Sequence, residues 1–285
     1  MAVGERVLVT GASSGIGLAT ALLLSRAGYQ VAGTSRDPEA TRRRLEASAA
    51  GGGAPLTFTL VAMDLCDPIS IDRGYAAATL ALGGEVDILI NNAGQGELAS
   101  VEDEDMEGIR ELFETNYFGA VSLIKKAIPG MRERRRGAVI SLGSIVHELQ
   151  FPFKAAYCAS KSALTSFTLS LRYELHPYSV RVHILEPGWV RSDFHNRLKA
   201  KIRPGSPYAE RIKPFLDFTR DQDARLPDGE AVAKVLLEVL SNPKAPVRVP
   251  VGRDSRRFRL ARRFLSHAML DRLLLWKLAK KGRAL

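Results

Sequence analysis

The sequence predicts an α/β fold in which a doubly wound parallel sheet of seven strands carries helices on both faces. Short apolar segments alternate with longer helical segments through most of the 285 residues, and no linker interrupts this alternation before about Val251. Such alternation is typical of parallel sheets with helical crossovers. A glycine-rich turn also joins the first strand directly to the first helix, as at the start of many doubly wound sheets.

Each strand is predicted from a run of β-branched and other apolar residues that is bounded by turn-forming residues. The seven predicted strands cover residues 6–10, 30–34, 56–62, 86–90, 138–142, 180–186 and 247–251. Helices are predicted between them, and the longest covers residues 105–131. We therefore expect one domain over residues 1–251, followed by a helical extension of the same domain over residues 252–285.

The composition argues against several classes of protein. The two cysteines, Cys66 and Cys158, are too few for a disulfide framework or a zinc cluster, so we expect reduced thiols and no metal site. No apolar run is long enough to span a membrane, and the first strand begins too early to leave space for a signal peptide. These features predict a cytoplasmic protein.

Tyr157 and Lys161 lie four residues apart in a predicted helix, and Ser144 lies thirteen residues upstream of Tyr157. Side chains with this spacing share one helix face, so the phenol and the ammonium are neighbours. An adjacent cation lowers the pKa of a phenol toward neutrality, which makes it a usable proton donor and acceptor. The spacing alone also occurs on solvated helix faces, so its interpretation depends on the rest of the chain.

The first strand runs into a glycine-rich turn, Thr10-Gly11-Ala12-Ser13-Ser14-Gly15-Ile16-Gly17, that opens a helix. Backbone N–H groups at the N-terminus of such a helix can bind a pyrophosphate. Three residues separate the first two glycines here, whereas the usual dinucleotide fingerprint has one. Two further motifs follow predicted strands, namely Asn91-Asn92-Ala93-Gly94 and Pro187-Gly188.

In this order and spacing, the motifs resemble those of the short-chain dehydrogenase/reductase family over roughly residues 6–194. The stretch Phe151-Pro152-Phe153, which leads to Tyr157, is similar to the NADP-dependent steroid- and retinoid-reducing branch of that family. The resemblance implies a Rossmann fold and hydride transfer between NADP(H) and a ketone or secondary alcohol. It also implies a catalytic tetrad, which would consist of Asn116, Ser144, Tyr157 and Lys161.

The resemblance implies a role for each of these residues. Tyr157 would exchange a proton with the substrate oxygen, and Ser144 would hydrogen-bond the same oxygen and stabilise its developing charge. Lys161 would lower the pKa of Tyr157 and hold the nicotinamide ribose. Asn116 would hold a water that links Lys161 to solvent. Ser192 stands where the family usually has threonine, and its hydroxyl would bind the carboxamide of the nicotinamide.

The end of the second strand should determine which cofactor binds, because a carboxylate there binds the ribose of NAD and a cation binds the extra phosphate of NADP. The strand ends in Thr34-Ser35-Arg36 without an acid, and Asp37 is expected to cap the next helix. We therefore predict NADP(H) rather than NAD(H), with Arg36 on the 2′-phosphate and Ser35 beside it. The predicted cofactor-binding residues are Gly11, Ser13, Ser14, Gly15, Ile16, Gly17, Ser35, Arg36, Asp64, Leu65, Asn92, Ala93, Gly94, Tyr157, Lys161, Pro187, Gly188, Val190 and Ser192.

The predicted substrate pocket is largely apolar, and a lipid-like or aromatic small molecule is the expected substrate. Its candidate residues are Gln95, Ser144, Val146, His147, Leu149, Trp189 and Phe194. A place in the core is an open alternative for several of them. Two other functions also stay open, a catalytically idle NADP-binding regulator and a membrane-surface adaptor, although the intact tetrad argues against both.

The formal net charge of +10 is local, because residues 248–285 hold twelve of the 41 Lys and Arg but only two of the 31 Asp and Glu. Apolar residues recur in this tail at helical spacing, which predicts one or two basic amphipathic helices. We expect a lid over the substrate cleft or a subunit contact, with weak binding to an anionic membrane surface as the alternative. Nucleic-acid binding is disfavoured because no groove-reading motif accompanies the charge. The family resemblance implies a homodimer or homotetramer through the helices that carry Asn116 and Tyr157.

Overall fold

The computed structural model describes residues 4–191, 194, 198, 200–220 and 226–280. Its strands are β1 (Arg6–Val9), β2 (Gln30–Ser35), β3 (Thr59–Ala62), β4 (Ile88–Asn91), β5 (Leu98–Ala99), β6 (Gly137–Leu142), β7 (Val180–Pro187), β8 (Ala200–Lys201) and β9 (Arg248–Val251). Seven of the described strands form one parallel sheet in the order β3-β2-β1-β4-β6-β7-β9. A second, two-stranded sheet pairs β5 with β8.

Two apolar layers cover the main sheet because side chains alternate between its faces. The helices are α1 (Gly15–Arg26), α2 (Pro38–Ala50), α3 (Pro68–Ala81), α4 (Met106–Phe113), α5 (Gly119–Glu133), α6 (Ala155–Leu175), α7 (Ala209–Arg220), α8 (Gly229–Ser241), α9 (Arg253–Arg262) and α10 (His267–Lys280). In β1, Val7 and Val9 pack in the layer built from α1 and α8. Leu8 packs in the opposite layer, with α3, α5 and α6. The predicted doubly wound sheet of seven strands is confirmed.

One strand boundary and one small sheet differ most from the sequence-based expectation. The third strand begins at Thr59 rather than at residue 56, and its pairing with β2 runs from Thr59 opposite Ala32 to Ala62 opposite Ser35. The small sheet of β5 and β8 was not predicted, since strands of two residues each are too short to show a periodic pattern.

The long helix predicted over residues 105–131 is divided into two helices. A single π-helical turn, Glu114–Phe118, separates α4 from α5 and carries the buried Asn116. Turns of this kind inside α-helices often mark functional sites. Here the wider turn brings the Asn116 amide against the backbone of the segment that follows β4.

The basic tail forms α9 and α10 beyond the last strand. Among the side chains of α10 that the structure describes, only Leu270 is buried. Exposed apolar side chains of this helix include Met269, Leu275 and Trp276. None of the described helices combines the length and the apolar character that crossing a membrane requires.

Candidate active site

Three of the four predicted catalytic residues meet where β6 ends and α6 begins. Ser144 follows β6 directly and caps a short 3₁₀ helix, Ile145–His147, with its hydroxyl. Tyr157 and Lys161 lie one turn apart in α6. The buried Lys161 donates a hydrogen bond from Nζ to the carbonyl of Leu142 at 2.9 Å, at the end of β6. This hydrogen bond joins α6, which carries Tyr157 and Lys161, to the end of the strand that precedes Ser144.

The protonation states of the pair differ from the expected ones. Burial raises the pKa of Tyr157, a hydrogen bond with Ser144 lowers it, and burial outweighs that bond. Burial also lowers the pKa of Lys161 to about 8. The expected lowering of the tyrosine pKa by Lys161 is not found, because the ammonium points to the Leu142 carbonyl. Tyr157 is thus a protonated phenol at neutral pH, the form that donates a proton to a carbonyl oxygen.

Asn116 links two segments of this site. Its Oδ1 accepts a hydrogen bond from Gln95 N at 2.8 Å, and its Nδ2 donates to Gln95 O at 2.9 Å. Nδ2 also donates to Ser160 Oγ at 3.0 Å. The amide therefore ties the segment after β4 to α6, and the water-holding role of Asn116 stays a prediction.

The segment after β4 approaches the catalytic lysine closely. A Cβ added at Gly94 would lie 3.3 Å from Lys161 Nζ and 3.2 Å from Asn116 Oδ1. The predicted substrate residue Gln95 contacts the site through its backbone. Its N–H and its carbonyl both form hydrogen bonds with the side-chain amide of Asn116. Ala93 lies in the same segment and donates its N–H to Thr10 Oγ1 at 3.0 Å.

The glycine-rich turn has the backbone shape that an anion-binding helix terminus needs. Gly11 has φ +68° and Gly15 has φ +55°, conformations that favour glycine. Helix α1 has no acidic residue in its first turn, and the Ser14 side chain does not cap it. By contrast, four described helices begin at capping aspartates, which are Asp37, Asp67, Asp105 and Asp228. Ser13 and Ile16 belong to the same turn. Because no acidic residue stands at this helix N-terminus, the turn fits the pyrophosphate of a dinucleotide.

Asn92 holds this turn in place instead of facing a ligand with its side chain. Its Nδ2 donates to Thr10 O at 2.8 Å and to Gly11 O at 3.3 Å. A Cβ at Gly17 would lie less than 3.0 Å from both Gly11 O and Asn92 Nδ2. The turn and the segment after β4 therefore interlock around a position that only glycine fills.

At the end of β2, the Ser35 hydroxyl bonds within the protein, and an arginine that was not predicted, Arg44, reaches the glycine-rich turn. Ser35 Oγ lies 2.9 Å from Thr41 Oγ1 and accepts a hydrogen bond from Asp37 N at 3.2 Å, so this hydroxyl faces inward. Arg36 is exposed. Arg44 of α2 donates to the carbonyl of Ser13, which places a second cation beside the glycine-rich turn. The run of three arginines at residues 42–44 was the available signal, but only the helix orientation shows which one reaches the turn.

Two other predicted cofactor residues lie after β3. Asp64 Oδ1 accepts a hydrogen bond from Cys66 N at 3.0 Å and so stabilises a local turn. Leu65 is buried against Gly119 at the start of α5. Both are near the sheet edge where the resemblance places the adenine, with Leu65 in the core.

Residues of the basic tail form hydrogen bonds with the turn after β7. Pro187 ends β7, and Gly188 N donates to Val251 O at 3.1 Å. Asp254 of α9 accepts a hydrogen bond from Trp189 N at 2.6 Å, and a Cβ at Gly188 would overlap its carboxylate. Val190 is buried, and the predicted residue Ser192 lies outside the described residues. Helix α9 thus supports this turn, and the lid role expected for the tail stays a prediction.

His147, a predicted substrate residue, belongs to a partly buried ionic cluster. Its Nδ1 lies 2.6 Å from the carbonyl of Ser144, and its Nε2 lies 2.7 Å from Arg248 Nη2. Nε2 also lies 3.2 Å from Glu148 Oε1 and 3.4 Å from Glu186 Oε1. Arg248 binds Glu148 too, and its Nε lies 2.8 Å from Glu186 Oε1. Burial lowers the pKa of His147, whereas Glu148, the Ser144 carbonyl and Glu186 raise it further, so the net direction is upward.

Aromatic side chains form the wall beside Tyr157. The ring centroids of Tyr157 and Phe194 are 5.9 Å apart, and those of Phe151 and Trp189 are 6.0 Å apart. Phe215 of α7, which sequence reasoning missed, packs on Phe151 and Phe153. Two predicted lining residues, Val146 and Leu149, belong to an apolar cluster with Ile145 and Cys158, and Tyr157 and Phe151 pack against the same cluster. The described wall beside Tyr157 therefore comes from this cluster, from α7 and from the turn after β7.

Lys154, one residue before α6, is a buried cation in this wall. Its Nζ lies 5.3 Å from the ring centroid of Trp189 and 5.9 Å from that of Tyr157. Only 7% of the residue is exposed. Cation–π attraction is worth about 1–2 kcal/mol, which is less than the several kcal/mol that removing an ammonium from water costs. Burial accordingly lowers the pKa of Lys154 to about 8.

Comparison with known proteins agrees with this arrangement. A family profile described as short chain dehydrogenase matches residues 5–203. Retinol dehydrogenase 8 of Homo sapiens is 34% identical over 254 residues, which cover 85% of this chain and 79% of that protein. The 3-ketodihydrosphingosine reductase of Bacteroides thetaiotaomicron is 29% identical over 248 residues, covering 86% of this chain and 87% of that protein.

The fold agrees as well. A short-chain dehydrogenase from Streptomyces avermitilis, solved as a crystal structure, is 31% identical and superposes with a TM-score of 0.78. The alignment covers 98% of this chain and 97% of that one. The chain therefore belongs to the short-chain dehydrogenase/reductase family, as a member of its steroid and retinoid type, and is an oxidoreductase that acts on CH–OH groups with a nicotinamide cofactor.

Proposed function

We propose that this protein transfers a hydride between NADP(H) and a ketone or secondary alcohol with an apolar body. The observation that carries the proposal is the joint placement of Ser144, Tyr157 and Lys161 at the end of β6, beside an aromatic wall. The glycine-rich turn of α1 would hold the pyrophosphate, and the bound nicotinamide supplies or accepts the hydride.

Tyr157 and Ser144 carry the proposed chemistry at the substrate oxygen. Tyr157 donates its proton to the carbonyl oxygen in reduction and takes it back in oxidation. Ser144 donates a hydrogen bond to the same oxygen, where negative charge develops. The contact of His147 with the Ser144 carbonyl and the salt bridges of Arg248 support the backbone of this segment.

Turnover of a panel of aromatic and aliphatic ketones with NADPH tests the proposed function. We expect reduction of at least one apolar ketone, and a loss of about 10²–10³-fold in kcat for Ser144→Ala, the range for removing one oxyanion donor. Ser162→Ala removes a hydroxyl from α6 that bonds only within the protein and is the matched control. An inactive unmutated protein, or full activity of Ser144→Ala, would contradict the proposal.

The cofactor preference rests on the cations around the glycine-rich turn. No acid ends β2, and Asp37 is occupied as a cap, since its Oδ1 accepts from Ala40 N at 2.8 Å. Arg36 is exposed beside this turn, and Arg44 reaches Ser13. These features support binding of the 2′-phosphate of NADP, with Arg44 as a second ligand.

Replacing Arg36 by Ala should weaken NADP binding by about 1.5–3 kcal/mol, the range for a hydrogen bond to a charged group, and leave NAD binding nearly unchanged. We expect a similar selective loss for Arg44→Ala. Isothermal titration with both cofactors measures the effect, and Arg43→Ala, an exposed neighbour, is the control. Equal affinity of the unmutated protein for NAD and NADP would overturn the preference.

We further propose that α10 rests on an anionic lipid surface while α9 belongs to the catalytic domain. The exposed apolar side chains of α10 follow, along the chain, the exposed arginines of α9, such as Arg256 and Arg257. Lipid headgroups of opposite charge complement this combination. This proposal also treats residues 1–251 as the catalytic unit and residues 252–285 as its extension.

Two truncations separate these roles. Ending the chain after Ser266 should abolish sedimentation with anionic vesicles and leave ketone turnover intact, because α9 and its Asp254 remain. Ending it after Val251 should also lower turnover and stability, since the turn that carries Trp189 loses its support. Salt should weaken vesicle binding by the full chain. Unchanged sedimentation after removal of α10 would rule out the lipid contact.

Assembly through the helices that carry Asn116 and Tyr157 stays part of the proposal. Phe118, beside α5, and Tyr173, on α6, are exposed aromatic side chains that suit a subunit contact. Sedimentation velocity of the purified protein distinguishes a dimer or tetramer from a monomer.

A further inference from the structure

Lys154 is a buried cation that the proposed reaction does not use. Its Nζ lies over the rings of Trp189 and Tyr157, and the residue is almost fully buried. Trp189 belongs to the turn after β7 and Tyr157 is the proposed proton donor, so the ammonium lies beside the place where the reacting group of a substrate would bind. It is three residues from the catalytic tyrosine, at the N-terminus of α6.

No negative partner balances this charge within the described part of the chain. No salt bridge or side-chain hydrogen bond of Lys154 is found there, and Cys158 is the one group whose charge acts on it. Tyr157 is the other titratable neighbour, and burial keeps it protonated. With a pKa of about 8, Lys154 itself stays mostly protonated at neutral pH. The described part of the site therefore offers no negative partner for this charge.

Such a charge is costly unless it serves a ligand. Buried ions are usually paired, and an apolar residue of similar length would fill the same space without the loss of hydration. The surrounding rings also lower the local polarity, which strengthens the attraction between the ammonium and any anion that enters. A carboxylate would bind there as a charge-assisted hydrogen-bond acceptor.

We propose that Lys154 binds a carboxylate of the substrate, so that the protein acts on oxo acids or hydroxy acids with an apolar body between the reacting carbon and the acid group. This inference rests on the proposed hydride transfer at Tyr157. The carboxylate takes no part in the bond changes: a C–H bond forms at the carbonyl carbon, the Tyr157 proton moves to oxygen, and NADPH is oxidised. The same cation disfavours substrates that carry an amine.

The test uses matched probe pairs that differ only in charge. These are 4-acetylbenzoate with its methyl ester and 6-oxoheptanoate with its methyl ester, each reduced with NADPH. The readout is the ratio of kcat/KM for acid over ester, because a general loss of activity cancels in this ratio. We expect the acid to be preferred for at least one pair, and Lys154→Met to lower the ratio by about tenfold or more. Lys154→Arg keeps the charge and should retain the preference for the acid.

Two further measurements make each outcome decisive. If neither member of any pair is reduced, the proposed function fails, and isothermal titration of 4-acetylbenzoate into the protein then tests the carboxylate site separately. Weaker binding to Lys154→Met than to the unmutated protein supports the site, whereas equal or absent binding overturns it. An acid-to-ester ratio that Lys154→Met leaves unchanged also overturns the inference while the proposed hydride transfer stands.

Stability provides an independent check on the variant. Removing an unpaired buried charge should leave the thermal midpoint of ligand-free Lys154→Met equal to or above that of the unmutated protein. Should that variant fold poorly, Lys154→Gln replaces it in both assays. A large fall in the midpoint for both variants would show a structural role and overturn the inference.

Discussion

Replacing Tyr157 by Phe should reduce kcat for ketone reduction by at least a factor of about 100. The substitution keeps the ring and its contact with Phe194 but removes the proton donor. Burial holds Tyr157 in its protonated form, so the unmutated protein carries a proton that the variant lacks. Steady-state kinetics with NADPH and an apolar ketone measures the loss.

The matched control is Tyr173→Phe, which removes a phenol from an exposed position of the same helix. This variant should keep its turnover. Cofactor binding, followed by quenching of protein fluorescence, should be nearly the same in both variants. Near-normal turnover by Tyr157→Phe would exclude the proposed proton transfer.

Replacing Gly17 by Ala should abolish cofactor binding and destabilise the fold. The added Cβ would overlap Gly11 O and Asn92 Nδ2, atoms that hold the glycine-rich turn and the segment after β4 together. Overpacking of this kind costs about 1–3 kcal/mol. Urea unfolding with and without NADP⁺ measures both effects, because a ligand that binds only the folded state raises its stability.

Gly51→Ala is the control for this experiment. Gly51 ends α2 with a φ of −87°, and an added Cβ would meet neighbouring atoms only at ordinary contact distances of 3.6 Å or more. This variant should gain stability from NADP⁺ as the unmutated protein does. The same gain for Gly17→Ala would show that the turn does not hold the cofactor.

The architecture was predictable because it depends on local sequence patterns, whereas the proposed catalytic set came from the resemblance to the family. Alternating strands and helices imply the parallel sheet, and the order of strands places Ser144 and Tyr157 at the same edge. A glycine-rich turn between a strand and a helix has one common geometry, and Gly11 and Gly15 adopt it. The family profile matches over residues 5–203, which includes all these motifs.

The roles of individual side chains were harder to predict than their positions. Asn92 and Asn116 occur where expected, yet their amides bind the backbone of Thr10 and Gln95. The sequence predicts His147 as a substrate-pocket residue, but its side chain belongs to a partly buried ionic cluster. A motif shows that a residue type is needed at a position, whereas its hydrogen-bond partners depend on which segments pack against it.

By itself, the sequence determined the parallel sheet, the glycine-rich turn and the placement of Tyr157 and Lys161 one helical turn apart, because these depend on neighbours within a few residues along the chain. Only the tertiary structure decided that Arg44 reaches Ser13, that Asp254 holds Trp189, and that Lys154 is enclosed without a carboxylate among the described residues. The first two contacts join residues 31 and 65 positions apart. Such contacts follow from how helices and loops pack on the sheet, and periodicity in the chain records which faces are buried but not which partners they meet.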